Sequence, residues 1–293
     1  MPQPMKLSIF FAFYPYGGNG GISMEYPEIR RWFARTMLWC KKDERIGAIY
    51  DQDFADTPIT MTRNRSVKTA REMGADILVM CDSDMHPDLY QGQLGTKLFF
   101  PSSFAFLYEH YQKGPVVIGA PYCGPPPSEM VYVFHWTTCE TDNPNPDHRL
   151  EMISREQAAM RMGIEAVAAL PTGLIMFDMR VFELTSPPYF YYEYTDCQET
   201  DKASTEDVTC TRDLGMAGQN RLGYVPIHVN WDAWAGHVKP KTVGKPHVIH
   251  TEQVGKKYRE AVLADHRSNE KLTFVRPDGF FTDAEGKLHA RQG

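Results

Sequence analysis

Two aspartates, Asp82 and Asp84, stand one residue apart at the end of an apolar run, Ile77-Leu78-Val79-Met80-Cys81. Like charges that close repel, and a divalent cation is the usual reason to keep them together. The apolar run reads as a buried strand, and ligands of open α/β sheets gather at the carboxyl ends of strands. Asp82-Ser83-Asp84 therefore suggests a metal held against nucleotide phosphates, where it would neutralise charge on a departing diphosphate. A capped, solvated strand end is the plainer alternative, and the long apolar run before it weighs against that.

Other residues have the right chemistry to join such a site. Arg63-Asn64-Arg65 precedes the strand by one helix, and a guanidinium fork suits phosphates or base edges. Read as a helix start, two arginines there oppose the helix dipole, which favours a ligand over a solvated end. Thr205-Glu206-Asp207 places two acids in the first turn of an expected helix. Dipole complementation would explain them; so would a carboxylate that takes a proton from an attacking hydroxyl. His237 follows an aromatic-rich stretch, and from Lys239 to Arg259 there are six Lys or Arg against the single Glu252. A basic segment of that kind can clamp a diphosphate.

These residues need elements to position them. Leu7–Phe13 reads as a strand, Pro27–Lys41 as a helix, Ile46–Tyr50 as a strand and Arg63–Met73 as a helix, before the strand that carries Asp82. Strand–helix–strand–helix–strand implies a parallel sheet with helices packed on it. Val116–Gly119 and Val131–Trp136 read as further strands. Pro171-Thr172-Gly173 interrupts a strand within Val167–Phe177, and Met179–Leu184 begins a helix. Thr205–Leu214 and Thr251–Asp265 read as helices.

The chain has 293 residues, 42% hydrophobic and 23% charged, with a net charge of −6. That composition is ordinary for a globular protein, and the charge argues against non-specific coating of nucleic acid or anionic membrane. No stretch has the length and apolarity of a membrane span or a secretory signal. The six cysteines contain no Cys-x-x-Cys pair, so a reduced, cytoplasmic protein is expected.

Taken together, the ordered motifs resemble a metal-dependent glycosyltransferase of the GT-A fold, family-2-like. The resemblance covers most of Leu7–Lys241: Asp82 and Asp84 after a hydrophobic strand, a glycine loop at Pro171-Thr172-Gly173, the acidic Thr205-Glu206-Asp207, and Gly236-His237. The first βα region departs from the pattern, with Asp51-Gln52-Asp53 in place of an Asp-Gly-Ser style turn. The fold implied is a Rossmann-like, mostly parallel central sheet flanked by helices, with a smaller mixed sheet on the acceptor side. Residues 1–250 would form one catalytic domain (5–122 the donor half, 123–250 the acceptor half), and 251–293 a C-terminal helix and tail.

The same resemblance implies a nucleotide-sugar donor, a UDP-sugar first. Asp82 would contact ribose or sugar and share the metal with Asp84 and His237. An imidazole among oxygen donors favours Mn²⁺ over Mg²⁺. Asp51 or Asp53, Arg63 and Asn64 would hold base or ribose, Gly173 would line the acceptor side, and Lys239 or Lys241 would close over the diphosphate. Asp207, with Glu206 as the fallback, would act as base in an inverting displacement; a retaining reaction would need no such base. The acceptor is a hydroxyl on a glycan, on a small molecule or, as in some phage enzymes of this type, on a hydroxymethylated DNA base. Tyr189–Tyr194, Trp231 and Trp234 offer rings to stack on it, or simply pack the core. The rival readings are a HAD-like phosphatase with Asp82 as nucleophile, for which His86 stands where Thr or Val is expected, and a non-catalytic sugar- or nucleotide-binding protein.

Overall fold

Seven strands form the central sheet: β1 (Leu7–Tyr14), β2 (Ile46–Asp53), β3 (Ile77–Asp82), β4 (Val117–Gly119), β5 (Ile164–Ala166), β6 (Leu174–Asp178) and β7 (Ile227–Asn230). Their spatial order is β5–β7–β4–β6–β3–β1–β2. β1 runs parallel to both β2 and β3, and β4 parallel to β7. β6 is antiparallel to β3 and β4, and β5 is antiparallel to β7. The computed structural model describes residues 5–18, 22–24, 27–56, 58–124, 130–138, 148–194 and 202–238, with the short strands at 247–249, 262–264, 280–282 and 288–290.

Side chains of a strand alternate between its faces, and both faces of this sheet are covered. Phe10, Ala12, Tyr14, Leu78, Met80, Ile175 and Phe177 look one way, into a core shared with Val67 and Ala70 of helix α2 (Ile59–Glu72) and Cys210 and Leu214 of a helix over Glu206–Leu222. Ile9, Phe11, Phe13, Ile77, Val79, Cys81, Leu174 and Met176 look the other way, onto Ile29 and Trp32 of α1 (Pro27–Cys40) and the phenylalanines of α3 (Phe99–His110). The helix over Glu206–Leu222 is α4. Double-sided burial explains why β1 and β3 are nearly continuous apolar runs rather than alternating ones.

Several expectations shift. α2 begins at Ile59, four residues before the expected start, so Arg63 lies in the second turn, not at the dipole-exposed end. α4 runs on to Leu222, where Gly223 at φ +78° ends it in a left-handed cap. Met179–Glu183 is a 3₁₀ turn. α3 had no counterpart in the sequence reading. Beside the central sheet, Val131–Thr138 pairs antiparallel with His148–Ile153 as one of the smaller sheets expected for the second half.

Met1–Cys123 with Met130–Val238 make one compact unit, which holds the central sheet. Gly124–Glu129 with Lys239–Gly293 make the other, where His247–Ile249 pair antiparallel with Val262–Ala264 and Phe280–Thr282 with Leu288–Ala290. Val262–Ala264 fall inside the helix expected over Thr251–Asp265 and are strand instead, paired antiparallel with His247–Ile249. The remainder of that span lies outside the described residues.

Candidate active site

The carboxyl ends of β1 and β3 lie side by side, with Tyr14 opposite Asp82. β6 runs the reverse way, so its entry, Thr172-Gly173, reaches the same edge; the Asp82 N–H donates to the Gly173 carbonyl at 2.8 Å. Alternation along β3 turns Asp82 to the side of Leu78 and Met80, which is the α2 side. There it meets Arg63.

Arg63 is the centre of the cluster, its side chain only 4% exposed. Nη2 donates to both Asp82 oxygens at 3.0 and 2.9 Å. Nη1 donates to Thr172 Oγ1 and lies 3.4 Å from Glu206 Oε1 and 3.9 Å from Asp207 Oδ2. Burial alone would push the guanidinium down, but Asp82, Asp207 and Glu206 more than offset it and hold the pKa above the usual arginine value. Tyr14 lies under the same group, its ring centroid 5.6 Å from Cζ. The Ser66 hydroxyl donates to the Arg63 carbonyl, which leaves Tyr14 to donate to Ser66 at 2.6 Å. Burial pushes the Asp82 carboxyl up to about 6; Arg63 opposes the shift, and Asp84, Asp207 and Glu206 add to it. Both Asp82 oxygens accept from Arg63, so neither is presented as a nucleophile, which weakens the phosphatase reading.

The two acids of α4 differ in setting. The Glu206 side chain is 9% exposed against Arg63, while that of Asp207 is 16% exposed. Asp207 Oδ1 accepts from the Val208 N–H at 2.9 Å, in the first turn where the helix dipole favours a negative charge.

A second cluster forms one turn beyond Asp82. Met85–His86 and Gly236–His237 make a two-residue antiparallel pairing, and the Val238 N–H donates to the Asp84 carbonyl at 2.7 Å. Together they set His237 Nε2 3.3 Å from Asp84 Oδ2. His237 Nδ1 lies 3.0 Å from the Cys123 carbonyl. A carbonyl only accepts, so Nδ1 carries a proton and Nε2 is the atom turned to Asp84. The Tyr122 and Tyr132 rings pack edge-on against the imidazole, with centroids at 5.1 and 6.2 Å.

Other expected residues are placed differently. Both Asp53 oxygens accept from Arg30 Nη2, at 2.7 and 2.8 Å, on the surface, and Arg30 lies over the Phe13 ring. Asp51 is exposed on β2. Asn64 faces away from the acids and clamps the 189–190 backbone, accepting from Tyr189 N at 2.8 Å and donating to the Phe190 carbonyl at 2.8 Å. Gly173 is buried; its N–H donates to the Tyr122 hydroxyl at 3.2 Å, and a Cβ there would sit 2.6 Å from that oxygen and 2.9 Å from Met85 Sδ. Glycine is required by this packing whatever else the loop does. Lys239 and Lys241 lie outside the described residues. Thr172 entered the sequence reading only as part of the Pro171-Thr172-Gly173 loop, and Tyr122 and the Cys123 carbonyl were not among its candidates.

Among the described residues, no three His, Cys, Asp or Glu side chains converge as a complete metal cage. Asp84 and His237 provide two donors of the types Mn²⁺ accepts, and the Asp82 carboxylate is occupied by Arg63. No helix among the described residues is long and apolar enough to cross a membrane.

No known family's model and no curated protein matches the chain. Solved structures that superpose on it include A197 from STIV, at 13% identity over 92% of this chain and 100% of that one, with a TM-score of 0.46. Another is GalNAc-T7 solved with UDP, GalNAc and Mn²⁺, at 8% identity over 80% of this chain and 44% of that one, with a TM-score of 0.39.

Proposed function

We propose that the chain is a metal-dependent glycosyltransferase that moves a sugar from a nucleotide-sugar, a UDP-sugar first, to an acceptor hydroxyl. The observation that carries the reading is the meeting of Asp84 and His237 at 3.3 Å. With Nδ1 on the Cys123 carbonyl, Nε2 is the ring atom that faces the Asp84 carboxylate, and a cation placed between the two would have both as donors. The two side chains would supply two of the donors that a divalent cation needs, and the rest would come from outside the protein.

Asp84 Oδ2 and His237 Nε2 are the atoms that would hold the ion. When bound, it supplies charge neutralisation to the departing diphosphate. The remaining work falls to the protein's own groups. Asp207, the more exposed acid of α4, accepts the proton of the acceptor hydroxyl as that oxygen attacks the anomeric carbon from the face opposite the leaving group. Glu206, buried against Arg63, orients the guanidinium. Arg63 keeps Asp82 and the α4 acids in fixed relation, which preserves the attack geometry.

The test is incubation with Mn²⁺ and a panel of nucleotide-sugars, with and without EDTA. Slow hydrolysis of one donor that EDTA abolishes supports the reading; an inert panel overturns it. The anomeric configuration of a transferred sugar, read by NMR, separates inversion by Asp207 from a retaining path.

A further inference from the structure

The segment from Tyr189 to Tyr194 is fastened at both ends. Asn64 of α2 holds the backbone of Tyr189 and Phe190. On α4, Asp213 accepts from the Tyr191 hydroxyl at 2.6 Å, and Arg212 Nη1 donates to Glu193 Oε2 at 2.6 Å. Tyr191 and Glu193 thus reach α4, while Tyr192 and Tyr194, half-buried, pack on each other with ring centroids 6.4 Å apart and planes inclined at 62°.

Tyr192 lies beside the acid cluster, where Glu206, Arg63 and Asp207 all act on it. The Phe190 ring lies 6.0 Å from Arg63 Cζ, and Glu193 pairs with Ser204, two residues before Glu206. Tyr192 is bracketed between these two contacts. Burial first, then the charge of Glu206, pushes its phenol up, and Asp207 adds to the shift.

We infer that Tyr192 and Tyr194 form an acceptor subsite that takes a pyranose ring, its C–H face against the phenol rings and one hydroxyl toward Asp207; the role as acceptor subsite rests on the transferase reading above. A planar nucleobase is best held between parallel rings. Planes inclined at 62° cannot sandwich one, while a puckered sugar offers a single apolar face and an equatorial fringe of hydroxyls, which suits a tilted pair with polar tips. The anchors to α2 and α4 fix both rings beforehand, so little ordering accompanies binding.

Saturation-transfer NMR on the full chain tests this with methyl β-D-glucopyranoside, methyl N-acetyl-β-D-glucosaminide and thymidine as probes, without donor. Wild type is expected to saturate the ring C–H protons of a glycoside. The signal should fall about tenfold in Tyr192→Ala/Tyr194→Ala and persist in Tyr192→Phe/Tyr194→Phe. Circular dichroism checks the fold, and Tyr192→Leu serves if the double alanine variant does not fold. A glycoside signal unchanged in the alanine or leucine variant overturns the subsite, as does saturation of thymidine alone. Donor hydrolysis by wild type is scored separately: if it is absent while the glycoside signal depends on the two tyrosines, the transferase reading fails and the sugar-binding site stands.

Discussion

His237 Nε2 and Asp84 Oδ2 face each other at 3.3 Å, although the two residues come from distant parts of the chain. The pairing of Met85–His86 with Gly236–His237 brings them together, and Gly236 permits it: a Cβ there would lie 2.7 Å from Leu89 Cδ2 and 3.2 Å from His86 Cβ. If this is the metal position, Mn²⁺ should raise the melting temperature of the wild-type protein by a few degrees at concentrations well above the dissociation constant. Asp84→Asn and His237→Ala should each abolish the shift in differential scanning fluorimetry. An undiminished shift in both variants would move the ion elsewhere.

If Asp207 is the base proposed above, Asp207→Asn should lower the transfer rate by about 10²–10⁴-fold while leaving nucleotide-sugar binding within a few-fold of wild type. Glu206→Gln should show the opposite balance, with a lowered stability and a smaller rate defect, because that side chain is buried against Arg63. Single-turnover kinetics with calorimetric donor titration separates the two. Equal rate losses in both variants would contradict the division of labour.

Arg63→Met should destabilise the fold by about 3–5 kcal/mol, because it strands the carboxylates of Asp82 and Glu206 without their shared cation. Arg63→Lys should recover only part of this. It keeps the charge but loses the fork that serves Asp82 and Thr172 together. Urea unfolding at pH 7 gives the comparison.

His228 supplies an acid-sensitive element far from the proposed chemistry. Burial lowers its pKa, the Pro226 carbonyl opposes the shift, and His110 adds to it. The unfolded chain, with a histidine pKa of about 6.5, then binds more protons than the native one below that pH. Stability from the neutral ring is present above about pH 6.5 and is lost as pH falls through that value toward the lower folded pKa. His228→Gln should flatten the fall in melting temperature between pH 7.5 and 5. An identical slope in both proteins would exclude His228 as a source of it.

Much of the scaffold was legible in the sequence. The runs of β1 and β3 are apolar because both faces of those strands are covered, and the order of strands and helices up to Asp82 follows directly. α3 escaped notice because Phe99–Leu107 is apolar on nearly every side and carries Pro101 in its first turn, so no amphipathic period marks it. β7 is a four-residue strand with His228 and Asn230 in it, too short and polar to stand out. Asp84 and His237 were paired from type and order, and they do lie 3.3 Å apart. The partner of Arg63 could not be named that way. Two arginines beside an asparagine look solvent-facing in one dimension; only the register of α2 on the sheet shows that Arg63 points inward while Arg65 is exposed. The roles of Tyr122 and the Cys123 carbonyl depend on backbone course and packing, which residue spacing does not encode.

The interior placement of Arg63 has a consequence for any anionic guest. Asp82, Asp84, Glu206 and Asp207 crowd one edge of the sheet, and an edge so acidic would repel a pyrophosphate group before contact. A guanidinium sealed beneath them acts as a permanent counter-ion, lowering the local negative potential without occupying space on the open side. One of the four negative charges is thus offset from within the fold, by a group that is itself buried.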